Sequence, residues 1–171
     1  MSDANDLLGL QVNPVLLEAV SGGTKIGLEM AGVVPQPVGA SKFPKSNRRI
    51  SVLVGLLGSH TGTMNFNLSE RAALLLAGKL LGEEQSEFDE ETLDAIAEFG
   101  NMIAGGIKSL CAENEFGFTN LSCPTVVMGA SYDLYYSRGF TTVSVDFELE
   151  EISVVHMKDR CFSVSVSLMK R

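Results

Sequence analysis

The sequence predicts an α+β fold in which a largely antiparallel β-sheet packs against long α-helices. Two helical patterns, at about 70–82 and about 90–113, follow each other in the middle of the chain. A run of short apolar alternations comes after them, and this order of elements is typical of the α+β class. The length of 171 residues and the hydrophobic fraction of 45% suit one domain over residues 1–171 with a buried core.

The first third of the chain predicts one helix and one irregular connection. Asn13 is a suitable N-cap, and Pro14 suits the first helical position. We expect a kink or weak turn at Ser21-Gly22-Gly23, since each glycine costs about 1 kcal/mol in a helix, before Ile26, Leu28 and Met30 resume the apolar pattern. Residues 32–49 hold three prolines, two glycines and four basic residues, which predicts a loop or extended connection into the sheet.

A β-hairpin and a short helix are predicted next. Apolar residues alternate over 50–56 and again over 64–68, on either side of a turn at 58–62. Ser69 then has the residue type and position of an N-cap for the helix at about 70–82.

The acidic tract 83–91 has no compensating basic residue, and we interpret it as a solvated loop leading into the long helix, where carboxylates favour the positive end of the helix dipole. After that helix, apolar alternation predicts four strands, at 126–128, 140–147, 152–155 and 162–168. If the last strand lies at a sheet edge, pairing with a second copy across a two-fold axis would satisfy it.

Composition excludes several classes of function. Asp and Glu number 21 against 13 Lys and Arg, a net charge of −8, so nucleic acid is not an expected partner. No apolar run approaches the roughly 18 residues of a membrane span, and Asp3 and Asp6 stand where a signal peptide is basic, so we expect a cytoplasmic protein without membrane contact. The three cysteines and two histidines lack ligand spacing, which predicts neither a disulfide framework nor a metal site in this chain.

The long helix has two distinct faces. Its predicted core side consists of Ile96, Gly100, Ile103 and Ile107, flanked by Leu110 and Cys111. The opposite side is a polar stripe within about 40° of Asp94, made of Asp94, Glu98, Asn101, Gly105 and Lys108. Such a stripe is often merely solvated, and a glycine on it can serve packing. Asparagine and two successive glycines are nevertheless poor choices for helix stability, so a functional constraint is a second explanation.

A longer spacing pattern includes this stripe. It reads Asp94-x3-Glu98-x2-Asn101, followed after 22 residues by Pro124. The pattern resembles that of the CheC/CheX/FliY family of chemotaxis phosphatases, and residues 13–20, 68–69, 98–106 and 124–127 are similar to the CheX branch in particular. A second Glu-x2-Asn pair is missing from this sequence, which also favours the branch with one site per chain.

The resemblance implies hydrolysis of the phosphoaspartate of a CheY-like response regulator, in chemotaxis or a related two-component pathway. Glu98 and Asn101 would be the catalytic residues: Asn101 would orient the attacking water, and Glu98 would reach a lysine of the receiver. Asp94, Gly105 and Lys108 would contact the partner, although Asp94 could equally cap or solvate the helix. No cofactor is expected in this chain, since the Mg²⁺ would belong to the receiver, and the resemblance also implies a homodimer.

Two other functions remain open at this point. The same helix face could bind or sense a response regulator without accelerating hydrolysis. A flagellar switch component is a weaker alternative, because 171 residues leave little room for the additional segments that we would expect there.

Overall fold

The computed structural model describes residues 12–44, 46–129 and 140–169. The helices and strands of these residues follow one another in the order α1 (Pro14–Glu29), β1 (Gln36–Ser41), β2 (Ile50–Gly58), β3 (Thr61–Leu68), α2 (Glu70–Leu81), α3 (Glu90–Leu110), β4 (Phe118–Leu121), β5 (Thr125–Met128), β6 (Phe140–Glu148), α4 (Met157–Arg160) and β7 (Cys161–Met169). A single 3₁₀ turn, Val154–His156, precedes α4.

All seven strands of the described residues belong to one antiparallel sheet with the order β1-β6-β7-β3-β2-β4, and β5 also pairs with β2. The predicted α+β class and the hairpin of β2 and β3 are therefore confirmed. The condition that we set for the last strand is not met, because β7 lies between β3 and β6 instead of at an edge.

One face of the sheet forms the hydrophobic core with the helices. The inward residues of β2 are all fully buried, and in the register with β3 Val52 lies opposite Phe66. Phe66 makes an edge contact with Phe162, which stacks on Phe147 at a ring-centroid distance of 5.2 Å. The core therefore runs across the central strands from β2 to β6.

The other face of the sheet is polar and also buried. Its side chains include Ser51, Asn65, Asn67, Ser144, Ser163, Ser165 and Ser167. Three strands separate β1 from β2 in the sheet, and the crossing that connects them reaches this face at Arg48. Asn67 holds the end of the crossing: its Oδ1 accepts from the Arg48 N–H at 3.2 Å, and its Nδ2 lies 3.1 Å from the Arg48 carbonyl and 3.0 Å from Ser51 Oγ.

The predicted interruption of α1 is wrong, since the helix is continuous from Pro14 to Glu29. A Cβ atom at Gly23 would lie 2.5 Å from the Ile107 nitrogen, and one at Gly27 would lie 2.6 Å from the Ile103 nitrogen. These glycines let the backbones of α1 and α3 touch. The packing gained by that approach offsets the low helix propensity of glycine.

Two further predictions are corrected by long-range contacts. Residues 36–41, predicted only as part of a connection, pair with β6 as strand β1. The strand predicted at 152–155 is wrong, because this segment is a bend followed by the first two residues of the 3₁₀ helix. The Arg160 guanidinium donates to the Ile152 carbonyl and to the Glu148 carboxylate, and these bonds hold the turn in a non-extended conformation.

The predicted helix boundaries are close to those observed. Ser69 caps α2 by accepting from the Ala72 N–H at 3.2 Å, and Gly82 ends that helix with φ of 80°. Asn13 caps α1 by accepting from the Leu16 N–H at 3.0 Å.

Candidate functional site

The helix α3, which carries the polar stripe, has strong local signals at both ends. Asp89 is its N-cap, and the Oδ1 atom of Asp89 accepts from the Thr92 N–H at 2.8 Å. This bond to the backbone, together with one to the Thr92 side chain, lowers the pKa of the Asp89 carboxyl. Glu90 and Glu91 in the first turn and Lys108 in the last turn complement the helix dipole. The helix start is therefore held independently of the stripe.

The inner face of α3 fixes which residues point outward. Ile96, Ile103 and Ile107 are buried as predicted. Gly100 is also buried, and a Cβ atom there would lie 2.4 Å from Val52 Cγ1, so this glycine lets the helix approach the sheet closely. The prediction for Leu110 is wrong, because it is 46% exposed at the end of the helix.

The structure places all five predicted stripe residues on the outward face of α3. Asp94 and Glu98 are exposed, whereas Asn101, Gly105 and Lys108 are half-buried. A Cβ atom added at Gly105 would meet nothing within 4 Å among the described residues. The alternative that Gly105 serves packing within this chain therefore finds no support in the part of the chain that the structure describes.

Glu98 and Asn101 are neighbours on this face. The Asn101 Nδ2 atom donates to Glu98 Oε2 at a long distance of 3.5 Å. The bond uses one donor of the amide and turns its oxygen towards other partners. The pair therefore places a carboxylate and an amide acceptor next to each other on one turn of α3, and the opposite face of this helix is buried.

Pro124 does not lie on the stripe. It comes immediately before β5, in which Thr125 pairs with Leu53 of β2. The two residues before Pro124 are also held at the sheet. Ser122 Oγ accepts from the Gly55 N–H at 2.7 Å and donates to the Cys123 carbonyl at 3.0 Å. This position suits a structural role of Pro124 at the start of the strand.

The sequence pattern did not predict which apolar residues at the end of α1 are exposed. Ile26, Leu28 and Met30 were predicted to resume the apolar pattern of the first helix, but only Leu28 is buried. Ile26 is 46% exposed and Met30 is 78% exposed. Apolar periodicity alone does not distinguish these positions, because the tilt of α1 against α3 is set by the glycine contacts described above.

The described residues contain no group of three or more His, Cys, Asp or Glu side chains that could hold a metal ion. None of the described helices is long and apolar enough to cross a membrane.

The chain matches the family model described as "Chemotaxis phosphatase CheX" over residues 50–148, which include α3 and the whole motif. It is also similar to the CheY-P phosphatase CheX of Thermotoga maritima, with 30% identity over 105 residues. That alignment covers 61% of this chain and 65% of the Thermotoga protein, so the chain spans slightly less than two thirds of this relative's length.

Solved structures share the fold over nearly the whole chain. A CheC-like superfamily protein from Shewanella sp. PV-4 superposes with a TM-score of 0.74 at 22% identity, covering 92% of this chain and 99% of the other. The structure of the CheX-CheY-BeF3-Mg²⁺ complex from Borrelia burgdorferi matches with a TM-score of 0.68 at 23% identity, covering 91% of this chain and 96% of the other. With a fold of this kind and a family match over more than half of its residues, the chain belongs to the chemotaxis phosphatase CheX family.

Proposed function

We propose that this protein hydrolyses the phosphoaspartate of a CheY-like response regulator. The observation that carries the proposal is the bonded pair of Glu98 and Asn101 on the outward face of α3, within the region that matches the family model. The similar proteins named as CheY-P phosphatase and as a CheX-CheY complex support the same substrate. A receiver of this kind implies a cytoplasmic location.

In the proposed mechanism Asn101 acts on the attacking water. A receiver domain would bring the phosphoryl group, the Mg²⁺ and a lysine, so the phosphatase has only to position a water in line with the bond that breaks. The neutral amide of Asn101 can accept a hydrogen bond from that water through Oδ1. An amide suits this task because it adds no negative charge to an anionic centre.

Glu98 has an orienting role in this proposal. Its exposed carboxylate can form a charge-assisted hydrogen bond to the receiver's lysine, and the same carboxylate accepts from Asn101. One residue would thereby align both the partner and the amide. Asp94 and Lys108 lie on the same face as additional polar contacts, and Gly105 leaves room for the partner's surface.

A non-catalytic module that binds or senses a response regulator is the second candidate. The exposed stripe supports docking equally well, but the side-by-side placement of Glu98 and Asn101 favours catalysis, since docking alone requires no amide beside the carboxylate.

A phosphate-release assay distinguishes the two candidates. Response regulators from the same organism are phosphorylated with acetyl phosphate, and phosphate release is followed with and without this protein. We expect the protein to accelerate release from at least one CheY-like receiver by more than tenfold. Binding of a phosphorylated receiver without acceleration would favour the non-catalytic module, and the absence of both would contradict the proposal.

We further propose that the protein is a homodimer with a sheet that continues between subunits. The support is the family resemblance together with β1, an edge strand that pairs only with β6 among the described strands and exposes Val38. Sedimentation should give twice the monomer mass, and Val38→Pro should shift the protein towards the monomer because proline obstructs edge pairing. A monomeric wild-type protein at tens of micromolar, an order-of-magnitude range for specific interfaces, would contradict the dimer.

A further inference from the structure

The stripe on α3 is too small to hold a protein partner by itself. Specific protein interfaces bury about 800 Å² per partner and use roughly 20–30 residues on each side. The stripe has five residues, and one of them is a glycine without a side chain. A receiver that is positioned over Asn101 must therefore also contact the surface beside α3.

The neighbouring surface on one side belongs to α1. The contacts of Gly23 with Ile107 and of Gly27 with Ile103 show that α1 and α3 are antiparallel, since the residue numbers rise along one helix as they fall along the other. In an antiparallel pair, the residues that precede two facing positions are rotated by about 100° towards the same side. Ile26 and Met102, which precede Gly27 and Ile103, thus lie on one side of the helix pair.

Burial identifies this side as the outer one. Leu28 and Ala104, which follow the same two facing positions, are both fully buried towards the sheet. Ile26 is 46% exposed and Met102 is half-buried. The apolar side chains of Ile26 and Met102 therefore border solvent next to each other.

The same surface reaches the level of the catalytic pair. Met30 is three residues beyond Gly27, an axial step of about 4.5 Å that brings it level with the turn of α3 containing Glu98 and Asn101. Met30 is 78% exposed. Around α3, Met102 lies only about 40° from Glu98. We call the surface formed by Ile26, Met30 and Met102 the α1 shoulder.

We propose that the α1 shoulder is a docking surface for the same receiver domain whose phosphoaspartate faces Asn101. This inference rests on the proposed function and adds a binding surface to it. Exposed apolar side chains beside a polar site are typical of interaction surfaces, in which apolar contacts contribute affinity and polar groups fix the register. The shoulder adjoins the stripe through Met102, about 40° from Glu98 and about 100° from Asn101 around α3, and it would supply part of the area that an interface of normal size needs.

The partner that fits is a receiver with an apolar patch at the edge of its phosphorylation site. The receiver's lysine would meet Glu98, and its apolar patch would meet Met30 and Ile26. The shoulder touches no reacting atom in this arrangement, so its contacts stabilise the docked complex and the transition state equally.

Steady-state kinetics with a CheY-like receiver phosphorylated by acetyl phosphate tests this proposal. The double variant Ile26→Ser/Met30→Ser should raise KM about tenfold or more while kcat stays within about twofold, since only uniform binding is lost. Asn101→Ala should instead lower kcat and leave KM nearly unchanged. Both substituted residues, Ile26 and Met30, are exposed, and a melting curve verifies folding. Met30→Leu alone should keep the wild-type KM, because leucine preserves the apolar contact.

The matched control is Phe43→Ser/Val155→Ser. These residues are 76% and 82% exposed and belong to neither α1 nor α3. The control should leave both kinetic constants unchanged. An unchanged KM for Ile26→Ser/Met30→Ser beside an active wild-type protein would overturn the shoulder and leave the proposed function intact. A shift of this variant only in oligomeric state would identify the shoulder as a self-association surface and overturn the proposal. A wild-type protein that neither binds nor dephosphorylates any receiver would overturn the proposed function and the shoulder together.

Discussion

Two adjacent glycines on α3 should respond to the same substitution in opposite ways. A Cβ atom at Gly105 meets nothing within 4 Å among the described residues, whereas one at Gly106 would lie 2.7 Å from the Gly23 carbonyl oxygen and 2.9 Å from the Gly23 Cα. Both positions are in the interior of one helix, so their intrinsic propensities are the same. The difference between the two variants therefore measures the contact between α1 and α3.

The expected magnitudes follow from these distances. Gly105→Ala should gain up to about 1 kcal/mol in the free energy of unfolding, since alanine favours the helix and restricts the unfolded chain. At Gly106 the same gain is opposed by overpacking, which costs typically about 1–3 kcal/mol. The obstructing atoms belong to the backbone of Gly23 and cannot rotate away. Gly106→Ala should therefore be less stable than Gly105→Ala by about 1–3 kcal/mol.

Urea unfolding of the two variants beside the wild-type protein provides this comparison. A third variant, Gly105→Leu, then tests the role of the surface: it should melt near the wild-type temperature but fail to dephosphorylate the receiver, because the new side chain holds the two proteins apart. Equal stabilities of Gly105→Ala and Gly106→Ala would refute the close approach of α1 and α3. A folded Gly105→Leu protein with normal activity would refute the docking face.

Three further predictions follow from individual side chains. Glu98→Lys should weaken receiver binding more than Glu98→Gln does, since like charges then oppose the receiver's lysine; equal affinities in an anisotropy titration would exclude this role. Asp89→Ala should lower the melting temperature at pH 7. The N-cap bond to Thr92 lowers the pKa of Asp89, so its stabilisation is complete above the ordinary carboxyl pKa of about 4 and is lost as the pH falls through the lower folded-state value; a difference in melting temperature that does not shrink as the pH is lowered below about 4 would contradict this origin. Asn67→Ala should cost about 2–4 kcal/mol in urea unfolding, because it leaves the buried backbone groups at Arg48 and Ile50 without their partner; a loss below about 0.5 kcal/mol would show that the crossing is held elsewhere.

Features that depend on neighbouring residues could be predicted from the sequence. The N-caps Asn13 and Ser69 and the hairpin of β2 and β3 are set by residue types within a few positions of each other. The stripe on α3 follows from helix periodicity in the same way, which is why all five of its residues are found on one face.

Features that depend on distant residues could not be predicted. The continuity of α1 depends on the contact of Gly23 with Ile107, which lies 84 positions further along the chain. The turn at 152–155 depends on bonds from Arg160, and strand β1 exists because β6 offers it a free edge. The exposure of Met30 likewise follows from the packing of α1 on α3, so the surface beside Glu98 and Asn101 emerges only from the folded arrangement.

In the proposed mechanism Asn101 orients the attacking water and contributes little to docking. Single-turnover dephosphorylation of a saturating CheY-like receiver by wild-type protein and by Asn101→Ala, combined with the Kd of each for the phosphorylated receiver, tests it most directly. We expect the rate constant to fall about 10²- to 10³-fold, as for the loss of one orienting group, and the Kd to change less than about threefold. An Asn101→Ala protein that dephosphorylates the bound receiver at the wild-type rate would contradict the account.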